Sequence, residues 1–187
     1  YYMSATNLQN FSGDVQIRGT TFIKANTATG NLAIGTDAGA TGQGAQGVAV
    51  GVQAGKTSQG AQGVAIGLES GKTSQGVQAI AVGYQAGQTS QGANTVAVGR
   101  QAGISEQGAS AVALGREAGK TNQGADATAI GRSAGLTSQG ASATAVGFQA
   151  GETGQGTQAV AAGYLAAQSG QGAASVAVGT SAGKVSQ

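Results

Sequence analysis

The sequence predicts an all-β chain, a parallel β-solenoid of ten 16-residue coils. Three observations predict it: a four-residue motif returns at a fixed step, its residues alternate as a strand does, and glycines fall at fixed places between the strands. The tetrad Leu32-Ala33-Ile34-Gly35 recurs as Val48-Ala49-Val50-Gly51, Val64-Ala65-Ile66-Gly67 and Ile80-Ala81-Val82-Gly83, and so on to Val176-Ala177-Val178-Gly179, always 16 residues on. No insertion breaks the register, and the consensus unit reads V-A-V-G-x-Q-A-G-K-T-S-Q-G-A-x-x. Positions 1 to 16 below count along this unit from the start of the tetrad.

Each part of the unit has a physical reading. Sixteen residues are too few for a helical-hairpin repeat, which needs about 33, and suit one coil of a solenoid. Positions 1 and 3, such as Val48 and Val50, share one strand face, and Ala49 takes the other. Both faces are apolar; a narrow coil interior covers one, and the second calls for association with other chains. Glycines at positions 4 and 8, with the Gln-Gly pair at 12 and 13, predict three Gly or Gly-like corners, where φ can be positive at no steric cost. Coils stacked about 4.8 Å apart make a rod on the order of 48 Å long.

In-register stacking turns fixed positions into ladders. Position 2 is Ala and position 4 is Gly in every copy. Position 12 is always Gln: Gln43, Gln59, Gln75, Gln91, Gln107, Gln123, Gln139, Gln155, Gln171 and Gln187. Stacked amides can donate and accept to neighbours above and below, so this column is expected to be a structural ladder. Position 10 is a Thr or Ser column from Thr41 to Ser169, broken at Val185. The Ser that commonly follows it is expected to point to the opposite side.

Residues 1–30 lack the repeat and are read as a short β lead-in or cap before the solenoid domain, 31–187. Val15-Gln16-Ile17 alternates and Thr20-Thr21-Phe22-Ile23 is rich in strand formers. Phe11 and Phe22 are expected to cover the open end of the stack, as terminal repeats must. A first residue other than Met predicts a processed or partial product, and the stop within a repeat at Gln187 predicts continuation beyond it.

Composition excludes several functions. With 36 glycines, 4% aromatic and 9% charged residues and no Trp, Pro, Cys or His, the chain cannot build an ordinary core of large side chains. A net charge of +2 is too small for a nucleic-acid surface, which needs Lys and Arg clustered on one face with aromatics between them. The absence of Cys removes disulfides and thiolate metal sites, and no apolar run is long enough for a membrane span or a secretory signal. The carboxylates Asp14, Asp37, Glu69, Glu106, Glu117, Asp126 and Glu152 do not pair within a column, so the chain is read as no enzyme, with no cofactor or metal. Gly42-Gln43-Gly44-Ala45-Gln46-Gly47 fits a dinucleotide fingerprint but precedes a strand rather than a helix. Gly51 to Thr57 and Gly115 to Thr121 resemble a phosphate loop with one spacer residue too few. Asn10-Phe11-Ser12 is a lone glycosylation sequon.

One variable column carries chemistry. Position 5 runs Thr36, Val52, Leu68, Tyr84, Arg100, Arg116, Arg132, Phe148, Tyr164, Thr180, alone in admitting both Arg and aromatics. Stacked arginines repel unless an anion lies beside them. Arg100, Arg116 and Arg132, framed by Tyr84, Phe148 and Tyr164, are therefore the expected band for a host-surface glycan, anion or protein, with Glu106 and Glu117 as the internal offset.

The V-A-I/V-G tetrad with its downstream A-G and Q-G pairs, over 31–187, resembles the YadA-like head repeats of trimeric autotransporter adhesins. It is also similar to the Gly- and Gln-rich repeats of phage and large-virus fibre proteins. The resemblance implies a left-handed parallel β-roll packed as a homotrimer, extracellular, on a virion or bacterial cell surface. The adhesin unit is shorter and lacks the invariant Gln-Gly pair, which favours the viral type. The expected function is a structural fibre or spike segment supporting attachment, with the adhesin head as the alternative. A monomeric ice-binding solenoid, suggested by the Thr column, is the alternative of a different class.

Overall fold

The computed structural model describes residues 15–17, 20–26 and 28–185. Every regular element among them is a strand. Each unit supplies two three-residue strands, one from positions 1–3 and one from positions 10–12, as in Val48–Val50 and Thr57–Gln59. The pattern runs on to Ser169–Gln171 and Val176–Val178. Strands of each kind stack in parallel on their counterparts one unit away, Val48 on Val64 and Thr57 on Thr73, to give two facing sheets. Nine complete turns run from Leu32 to Ser175. The tenth copy adds Val176–Val178 and a single bridge from Ser169 to Val185. Ten coils thus becomes nine and a part, because the last copy reaches only position 12 of its unit.

The hydrogen-bond ladder continues through the corners. Gln53 N donates to Thr36 O at 2.8 Å and Gln62 N to Ala45 O at 2.8 Å, while Ala54 N to Gly51 O (3.2 Å) and Gly63 N to Gly60 O (3.1 Å) close each turn within its own coil. Corner amides that a surface loop would leave to water are thereby paired with the adjacent coil.

Two glycine columns are fixed for different reasons. At position 4, Gly51 has φ +129°, and a Cβ there would stand 2.6 Å from Gly67 O. At position 13, Gly60 needs no unusual φ, but a Cβ would lie 2.4 Å from the carbonyl carbon and oxygen of Gly76. The first is a corner that only glycine adopts without strain; the second is a place where one coil touches the next.

The expected three corners are two turns and a kink. Position 11 is left-handed even where it is not glycine, with φ 54° at Ser58, Ser74 and Ser90. This breaks strand alternation: the Ser is exposed beside Thr57, Thr73 or Thr89, and the following Gln turns inward. The expectation that Ser faces away from the Thr column is therefore corrected, since both hydroxyl columns lie on the outer surface.

Between the sheets the interior is narrow. Positions 2 and 7 are almost all Ala, and Ala49, Ala54, Ala97 and Ala102 are fully buried. Two alanine clusters result, interrupted where Ser70 stands in the column and donates its hydroxyl to Gly67 O at 3.0 Å. A core of methyl groups has no room for aromatic rings, which accounts for their scarcity.

At the N-terminal end, β1 (Val15–Ile17) pairs antiparallel with β2 (Thr20–Asn26), and β2 antiparallel with β3 (Asn31–Ile34). Together they extend the first sheet to 12 strands and cover its first coil. Asn26 Oδ1 accepts from Ala28 N and Thr29 N, shaping the connection to β3. Asn31 ties β3 to the first coil: its Oδ1 accepts from Gly47 N at 3.1 Å and its Nδ2 donates to Gln43 O at 3.3 Å. Phe22 lies within β2. Its side chain, Phe11 and the sequon at Asn10 fall outside the described residues.

Candidate functional site

The glutamine column lies inside the roll. Gln59, Gln75, Gln91, Gln107, Gln123, Gln139, Gln155 and Gln171 are each no more than 3% exposed. Gln107 Nε2 lies 3.1 Å from Val96 O, 3.2 Å from Ala111 O and 3.1 Å from Gln123 Oε1. The amide therefore crosses the interior from the second sheet to main-chain carbonyls at the edge of the first. An unbroken amide chain runs from Gln91 to Gln155, with Nε2 to Oε1 distances of 3.1–3.2 Å. Gln59, Gln75 and Gln171 donate to main-chain carbonyls only, and Gln43, half-buried, does the same to Leu32 O and Gly47 O. Gln187 lies outside the described residues. Enclosed in this way, the column acts as an internal clamp and offers no surface for binding.

The outer face of the first sheet is apolar along its length. Positions 1 and 3 carry Val, Ile or Leu, interrupted by Thr128, Thr144 and Ala162. Ala49 and its counterparts use the inner face, so these larger side chains point outward. Ile66, Ile80, Val98, Ile130 and Val146 are 36–40% exposed in the single chain, and Val52, Leu68 and Val77 widen the strip beyond its corners.

Across the position-4 corner stands the Arg-aromatic column. Arg100 Cζ lies 5.9 Å from the centroid of the Tyr84 ring, and Arg132 Cζ lies 5.0 Å from that of Phe148. Phe148 and Tyr164 stack at 5.2 Å with an interplanar angle of 11°. Arg116, between the other two arginines, meets Glu117 at 3.7 Å, and Lys120 shares that carboxylate at 3.8 Å. Glu106 takes part in no ion pair among the described residues; its column belongs to the second sheet. At a spacing of about 4.8 Å, neighbouring guanidinium groups repel by about 1 kcal/mol per pair in water.

No protein-family model, curated protein or solved structure matches this chain. Its geometry carries the functional reading.

A polar cluster at the corner flanks was not anticipated. Glu69 Oε1 accepts from Lys72 Nζ at 2.7 Å, and Oε2 accepts from Gln85 and Gln88 at 2.8 and 2.9 Å. The Gln85 bond and then Lys72 hold this carboxyl below its ordinary value, against a smaller opposing effect of burial. Glu152 accepts from Gln149 Nε2 at 2.7 Å on Oε1 and from Gln168 Nε2 at 2.8 Å on Oε2. On the opposite corner, exposed Gln46, Gln62 and Gln78 form their own amide ladder at 2.9–3.0 Å. The signal was available in the sequence, since positions 6 and 15 hold polar residues in most coils.

Gly42 to Gly47 passes through a corner into Val48–Val50, with no helix to receive a pyrophosphate. A small cleft beside β2, lined by Lys24, Asn26, Asn31, Gly39, Ala40, Gly42 and Gln43, contains neither a carboxylate nor a nucleophile paired with a base. Among the described residues no three His, Cys, Asp or Glu side chains could share a metal, and no helix is long and apolar enough to cross a membrane.

Proposed function

We propose that the chain is a segment of a homotrimeric extracellular fibre or spike, a left-handed roll on a virion or cell surface that supports attachment and has no catalytic role. The outward Val and Ile face carries this reading. Nine coil spacings by one three-residue strand give a strip of roughly 400 Å² per chain, within the range of the largest apolar patch on a soluble protein, which is often functional. Three strips around one axis amount to roughly 1,200 Å² for the whole trimer and about 400 Å² for each pair of chains, so the seam depends on all three chains meeting at once rather than on a pairwise contact of the approximately 1,000 Å² that a specific two-chain interface needs. Each added coil lengthens the seam by one equal step, which suits a rod. The number three comes from the resemblance to adhesin heads and viral fibres; the bacterial head is the alternative form of the same reading. Val98→Lys with Ile130→Lys places two charges on the strip, and the variant is expected to sediment as a single chain. Retention of the wild-type assembly would refute the proposed seam.

One observation favours a second reading. The outward, partly exposed Thr column and the exposed Ser column give the second sheet paired hydroxyls at Thr57 and Ser58, Thr73 and Ser74, and Thr89 and Ser90. A regular hydroxyl array is the feature a monomeric ice-binding solenoid would use. Glu106, Asn122, Gly154 and Gly170 interrupt it, which favours the fibre. Thermal hysteresis from the purified chain would reverse that preference.

A further inference from the structure

Building on the attachment role, we propose that the position-5 column is a binding band for an anionic polysaccharide, with Arg100, Arg116 and Arg132 taking its acidic groups and Tyr84 and Tyr164 its sugar rings. The charge is not balanced internally. Arg100, Arg116, Arg132 and Lys120 are four cations around one carboxylate, Glu117, and that carboxylate is divided between Arg116 and Lys120 at 3.7 and 3.8 Å. The side chain of Arg116 remains 51% exposed. Arg100 and Arg132 make no ion pair among the described residues and are instead held against Tyr84 and Phe148. Cation-π contact fixes a guanidinium without consuming its N–H donors, so both forks are oriented and open to a carboxylate or sulfate.

The aromatics have open faces at the ends of the row. Tyr84 is 40% and Tyr164 53% exposed, with Phe148 stacked behind Tyr164. The C–H groups on one side of a pyranose ring carry partial positive charge and pack on such π faces, which are negative. An extended pyranose chain has a repeat similar in length to the coil spacing, so successive acidic sugars can meet successive arginines. A nucleic acid would favour aromatics interleaved with the cations along the strand. Here the three arginines are consecutive and the rings lie outside them.

The test uses the full chain and four probes, dextran sulfate, polygalacturonate, uncharged dextran and single-stranded DNA, in affinity electrophoresis at low and high salt. Wild-type protein is expected to be retarded by one or both charged polysaccharides and not by dextran; which polysaccharide binds identifies sulfate ester or carboxylate as the acid. Substituting R100Q, R116Q and R132Q together should weaken that binding at least tenfold, and high salt should do likewise. Tyr84→Ser with Tyr164→Ser should weaken it severalfold while leaving the salt dependence. Solution mass is measured on the same samples, so loss of binding with unchanged mass is separated from failure of assembly. If the triple variant melts early, R116Q alone should still lower affinity about threefold. Affinity within twofold of wild type in a folded triple variant, equal retardation by dextran, or tighter binding of single-stranded DNA would each overturn the proposal.

Discussion

Replacing Gln107 tests whether the internal column holds the roll together through its amides or only by filling space. In Gln107→Leu the volume is nearly kept, but Val96 O, Ala111 O and Gln123 Oε1 lose a donor and Gln91 Nε2 loses an acceptor. Two N–H hydrogens serve three acceptors, so the loss amounts to about three neutral bonds at about 1 kcal/mol each, partly offset by the easier burial of Leu; a net loss of about 2 kcal/mol is expected. Gln107→Ala removes the packed stem as well and should cost about 3–5 kcal/mol. Gln107→Glu sets a carboxylate against three acceptors in a site 2% exposed. Burial among three acceptors, with Gln91 Nε2 as the one donor, raises the folded pKa of that carboxyl above the unfolded value of about 4.3. The Glu variant should therefore be most stable below about pH 4 and lose stability as pH rises towards its folded pKa. Thermal unfolding followed by circular dichroism across pH measures all three. Wild-type stability in the Leu variant, or a Glu variant that matches the pH dependence of wild type, would refute the polar clamp.

Other substitutions probe the backbone and the surface. Gly99→Ala puts a Cβ 2.5 Å from Gly115 O at φ +132° and should lower stability by about 3 kcal/mol or more, read as a fall in the urea midpoint. Glu106 holds φ 56° where Gly42, Gly154 and Gly170 occupy the same position in other coils. Glu106→Gly should thus raise the urea midpoint by about 0.5–1 kcal/mol equivalent, the relief of left-handed strain exceeding the added freedom of the unfolded chain. Glu69 contributes stability above its unfolded pKa, and this is lost as pH falls through its lowered folded value. Between pH 5 and 3 the wild-type Tm should therefore fall more than that of Glu69→Gln, by a small margin because the site is partly exposed.

Much of the fold is written in the period. The alternation of Val48, Ala49 and Val50 and the constant step specify parallel strands in register, and the structure pairs them so. The path of the second strand was not legible. Alternation from Thr57 places Gln59 on the same side as the Thr, whereas the left-handed φ at Ser58 sends it inward. Ser, Glu and Asn do not announce such a φ, since each is ordinary in a strand or loop. The available clue is negative: positions 6, 11 and 15 contain no β-branched residue in any copy, as left-handed backbone requires. Gly60 was visible as invariant, but its reason, contact with Gly76, exists only once coils are stacked. The Arg-aromatic column was legible because no other column mixes those residue types; its cation-π contacts and the shared Glu117 needed coordinates.

The most direct test of the fibre reading is the absolute mass of the 17.7 kDa chain by light scattering after size exclusion. A particle of three times that mass, stable to dilution, is the predicted result. A single-chain mass at every concentration would contradict it, and would leave the Val and Ile strip exposed on a monomer.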